Sequence, residues 1–142
     1  MGWIEDIRSR KSHPQPSPTA FTDAAMQRWR ALGEELRQDV EEFNSHQHGA
    51  SFEQPGEGSY RVTNSQSGLI LDLAADFDAR IVRYDYRRLN DNSAGAPEGG
   101  MISMRQRPNG LVEFYSADER LTSEETRQIL LEPILFPPQL AA

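Results

Sequence analysis

The sequence predicts an α+β fold in two layers: a long N-terminal helix packed on a five-stranded antiparallel meander, followed by a C-terminal helix. Three observations lead there. Apolar residues recur every three or four positions from Met26 to Phe43, which is one face of an α-helix. From Ser59 to Tyr115 the period falls to two, in runs separated by turn residues. Thr122 and Glu125 then have the spacing of a capping box, just ahead of Ile129 and Leu130.

The first element is a tail. Residues 1–11, MGWIEDIRSRK, place Trp3, Ile4 and Ile7 roughly on one side of a short helical turn. Eleven residues are too few for a stable isolated helix in water. Three prolines between Ser12 and Thr19 make the next stretch an extended linker. Residues 1–20 are therefore expected to be a flexible tail and linker, residues 21–136 a single domain, and residues 137–142 a C-terminal tail. Trp3, Ile4 and Ile7 are candidates for docking, on their own domain or on a partner.

The long helix is expected to start at Thr22 as N-cap, with Asp23 at the positive end of the helix dipole. Phe21 and Met26 have the spacing of a hydrophobic staple. The apolar stripe runs Met26, Trp29, Leu32, Leu36, Val40 and Phe43. Gly33 interrupts it at a cost of about 1 kcal/mol relative to Ala, and marks a close approach to another element. Residues 46–58 read as a loop.

Five strands follow. Their inward set is Tyr60, Val62, Leu69, Leu71, Leu73, Val82, Tyr84, Tyr86, Ile102, Met104, Val112 and Phe114. Their outward set mixes both signs of charge with Ile70, Ile81 and Tyr115. Asn109-Gly110 signals a tight hairpin before the fifth strand. In the last helix Pro133 is expected to kink the helix or to end it at Glu132. The helix–meander–helix order resembles small two-layer modules of the secretion-chaperone-like and profilin-like kinds, a likeness of fold that implies no function.

The 142 residues have a net charge of −7, with no cysteine. Thiol nucleophiles, cysteine zinc sites and disulfides are thereby excluded. The acid surplus is local: residues 23–58 hold −5, residues 117–142 hold −3, and residues 59–116 are neutral. Such a surface argues against general nucleic-acid binding. No apolar run approaches the ~20 residues of a membrane helix. A cytoplasmic protein is the expectation.

No sequence motif assigns a chemistry. His46 and His48 lack a third ligand fixed by spacing, so no metal or other cofactor is expected. No phosphate loop and no nucleophile elbow occurs. The leading expectation is a non-enzymatic protein-interaction module, homodimeric, binding through its sheet face or its apolar terminal segments. Arg83, Arg87, Arg105, Arg107 and Tyr115 are the interaction-face candidates, because Arg and Tyr are enriched at interfaces. The acidic flank of the long helix is expected to meet this face in a second subunit. The alternative is a small-molecule-binding domain, enzymatic or not, with a pocket between the long helix and the sheet. Trp29, Tyr60, Tyr84 and Tyr86 are its candidate residues.

Overall fold

The computed structural model describes residues 18–89 and 96–136. Helix α1 spans Pro18–His46. Seven strands follow: β1 Ala50–Gly56, β2 Ser59–Asn64, β3 Leu69–Asp76, β4 Ile81–Arg88, β5 Gly100–Gln106, β6 Val112–Ser116 and β7 Glu119–Arg120. Helix α2, Ser123–Leu135, closes the domain. The strands form one sheet in sequence order, each antiparallel to the next.

The α+β class and the meander hold, but the sheet has seven strands, not five. Two edge strands make the difference. β1 occupies most of the stretch expected to be a loop, and pairs Phe52 with Val62 before an irregularity between Glu53 and Gly56. That irregularity and Pro55 blunt an exposed sheet edge. β7 contributes two residues at the other edge, opposite Tyr115 and Ser116.

α1 begins four residues before the expected cap. Thr22 thus lies inside the helix, and Phe21 is buried within it, beneath the Arg80 guanidinium at 4.0 Å. Pro18 at the first helical position is tolerated because its missing N–H has no intrahelical acceptor there. The 29-residue helix is about 43 Å long and crosses the whole sheet. Its stripe of Trp29, Leu32, Leu36, Val40 and Phe43 is buried. Met26 is only half-buried, packed at the margin of the core.

The Asn109-Gly110 hairpin is wider than a two-residue turn. Gly110 alone takes positive φ, at +87°. Its N–H donates to the Arg107 carbonyl, and the Arg107 N–H donates to the Leu111 carbonyl. This is a type I turn closed by a glycine bulge.

α2 starts with the expected capping box. The Thr122 side chain accepts from the Glu125 N–H, and the Glu125 carboxylate accepts from the Thr122 N–H. Pro133 lies within the helix, which continues to Leu135. A proline there leaves the Ile129 carbonyl without its i+4 donor. The Tyr86 hydroxyl lies 3.3 Å from that carbonyl and donates at 2.6 Å to the next one, Leu130. The sheet thereby compensates the helix at its weakest point.

Candidate interaction surfaces

Strand periodicity sorts the sheet residues into two faces. All twelve residues of the inward set face the helices, and all but Tyr84, half-buried, are buried. The aromatic candidates are part of this core. Trp29 stacks on Tyr60 with centroids 4.2 Å apart, and its indole N–H donates to the Glu57 carbonyl. The Tyr60 hydroxyl donates to the Trp29 carbonyl at 2.8 Å. Gly33 permits this arrangement, because a Cβ there would meet the Tyr60 ring. Tyr84 packs edge-on to Tyr86, centroids 6.1 Å apart. Burial pushes the Tyr60 phenol up to about 12 and raises Tyr84 and Tyr86 as well. A shallow depression of about 670 Å3 opens beside Tyr60, between α1 and β1, over Met26, Gly33 and Phe52.

Among the described residues, no helix covers the outer face. All five interaction-face candidates belong to it by register: Arg83 lies opposite Met101, Arg87 opposite Ile70, Arg105 opposite Glu113, and Tyr115 opposite Ser103 and Arg120. Arg107 follows β5 on the same side and pairs with Glu113 at 3.1 Å. The face is not a basic patch. Among the described residues, its six arginines at 61, 83, 87, 105, 107 and 120 are matched by six carboxylates at 53, 72, 76, 85, 113 and 118.

These charges form local bridges. Asp72 accepts from Arg61 at 2.7 Å and from Arg87 at 2.9 Å. Burial by itself would raise the Asp72 carboxyl, but those two hydrogen bonds outweigh it and hold the pKa below the ordinary range. Glu113 bridges Arg107 and Arg120, and Arg105 lies over the Tyr115 ring while reaching Asp118. Arg83 makes no ion pair among the described residues, and its cross-strand partner Met101 is 63% exposed. Ile70, between Thr63 and Arg87, is 7% exposed and lies outside the main core cluster.

The sequence reading missed a second surface. A groove of about 820 Å3 runs between the C-terminal half of α1 and α2. Phe43, Leu131, Leu135 and Phe136 form its apolar part. The Phe43 and Phe136 rings meet edge-on at 5.7 Å, and Phe136 is 61% exposed. Asp39 crosses the groove to accept two hydrogen bonds from Arg127, at 2.8 and 3.0 Å. Burial raises the Asp39 carboxyl and Arg127 opposes that rise. Glu42, Glu124 and Glu132 line the rim and make no ion pair among the described residues. The residues of this groove lie some 80 positions apart in the chain. A signal was present in the two acidic helices, whose carboxylates outnumber their arginines by six to three in α1 and three to one in α2.

His46 also lines the groove and His48 is exposed, and among the described residues no three His, Asp or Glu side chains converge as metal ligands. Trp3, Ile4 and Ile7 lie outside the described residues. No described helix is long and apolar enough to cross a membrane. No family model, curated protein or solved structure matches this chain.

Proposed function

We propose that this protein is a non-enzymatic protein-interaction module that self-associates through the outer face of its sheet. The observation that carries the reading is the composition of that face. It bears no described helix, its two signs of charge balance, and the exposed Met101 lies beside Arg83. A face that carries both signs of charge can present complementary groups to a second copy of itself across a two-fold axis. The flank of α1 already holds Arg37 between Glu34 and Glu41, so the contact proposed is sheet to sheet. Exposed Arg and Met side chains side by side fit the composition of interface cores.

Native mass spectrometry of the full chain tests this. Twice the chain mass is expected, and chain mass alone once Arg83→Glu and Met101→Glu are combined. Glu41→Lys, on the flank of α1, is expected to leave the dimer intact. A monomer in the unsubstituted chain sinks the reading, and loss of the dimer in Glu41→Lys moves the contact to the helix flank.

The depression beside Tyr60 favours a second reading, a small-molecule site at the edge between α1 and β1. A ligand retained through purification and released by Phe52→Ala would support it.

A further inference from the structure

We propose that the groove between α1 and α2 is the seat of the chain's own N-terminal segment, with Trp3, Ile4 and Ile7 on its apolar part and Arg8 at its acidic rim. Three observations support this occupant. The first is chemical form. The groove is floored by the edges of Phe43, Leu131 and Leu135, with Phe136 exposed beside them. The segment brings three large apolar residues at helical spacing, with Trp first.

The second is charge. Glu42, Glu124 and Glu132 are three carboxylates without an ion-pair partner among the described residues. Asp39 does not join them, because Arg127 already neutralises it. The segment ends in three basic residues, and even with Glu5 and Asp6 its net charge is positive. It holds the only lysine of the chain. Opposite signs at the rim fix orientation more than they add affinity.

The third is reach. From Pro18 to Asp39, where the groove begins, α1 rises about 32 Å. The eleven residues from Ile7 to Pro18 span about 36 Å when fully extended. The linker therefore just suffices, and its prolines favour the extended form that the span requires. Removing four residues leaves about 23 Å, which does not reach.

The methyl NMR signals of Leu131 and Leu135 in the full chain are the readout. Replacing Trp3, Ile4 and Ile7 together by Ser is expected to move these signals, while those of Val82 and Ile102 under the outer half of the sheet stay in place. Deleting Pro14–Ser17 is expected to produce the same movement. A peptide of residues 1–11 added to the triple-Ser chain is expected to restore the original positions, and to bind at least tenfold more weakly when Phe136→Ala is combined with Glu132→Gln. Unmoved groove signals in the triple-Ser chain overturn the proposal. So does a failure of the peptide to restore them. A four-residue deletion that leaves the signals unchanged also overturns it, since only a second copy's segment can then occupy the groove. The oligomeric mass of the same variants is read separately, so loss of the seat and loss of sheet-face association are distinguishable.

Discussion

The two faces of the sheet are built from alternate residues of the same strands, yet they answer to different energies. Leu71, Leu73, Val82, Met104 and Phe114 point inward and are almost wholly removed from water. Burial of each such side chain contributes about 1.5–3 kcal/mol before entropy is subtracted. Their neighbours Asp72, Arg83, Arg105 and Glu113 point outward, where an exposed ion pair contributes about 0.2–1 kcal/mol. The inner face therefore determines whether the chain folds. The outer face is nearly free to vary without unfolding it, so a binding role assigned there is open to test by substitution. The inner face also uses its polar atoms on structure: Tyr60 ties β2 to α1, while Tyr86 and Asn64 tie β4 and β2 to α2.

The contrast is sharpest at Trp29. Trp29→Ala removes the stacked partner of Tyr60 and the donor to Glu57, and is expected to cost about 3–5 kcal/mol in urea unfolding. A loss below 1 kcal/mol would mean that this part of the core is not packed as described. Gly33→Ala is expected to destabilise by about 1–3 kcal/mol although alanine is the better helix former. The added methyl must displace the Tyr60 ring, and a stabilised variant would show that helix and strand are further apart. Tyr86→Phe is expected to cost about 1 kcal/mol, since it leaves the carbonyls beside Pro133 without the hydroxyl that serves them.

Asp72→Asn carries the comparison to the outer face. It is expected to cost about 0.5 kcal/mol at pH 7. The native carboxyl is held below its unfolded value, so its contribution is present above the unfolded pKa of about 4 and is lost as pH falls through the lower native value. The stability difference between the two proteins should therefore shrink as pH falls through that lower native value. The inner face shows the opposite sensitivity. The Tyr60 phenol stays protonated to about 12 in the folded chain and to about 10 in the unfolded one. Stability should fall as pH rises above 10, because only the unfolded state then releases the proton. Equilibrium melts between pH 9 and 11 check the sign.

Periodicity made the inner face readable in advance, because every strand with a buried side alternates in sequence. β1 escaped for a physical reason. Ser51, Glu53, Gln54 and Pro55 are exposed, so only Ala50 and Phe52 are left to mark a strand that is held by hydrogen bonding to β2. β7 is too short to show any period. The start of α1 was misplaced because Thr22-Asp23 has the composition of a cap, whereas the helix continues back to bury Phe21. On the outer face, sequence identified the arginines but not their partners. Cross-strand register brings Asp72 between Arg61 and Arg87, and register becomes visible only once every turn is placed. The interhelical groove was hidden for the same reason, since Phe43 and Phe136 meet only once both helices have packed on the sheet that separates them in sequence.

Self-association through the outer face is tested most directly by sedimentation velocity across a hundredfold range of concentration. The unsubstituted chain is expected to move from monomer to dimer as concentration rises, and the chain with Arg83→Glu and Met101→Glu to remain monomeric with its unfolding midpoint unchanged. A chain that stays monomeric throughout, or a substituted chain that dimerises as well as the original, would contradict the account.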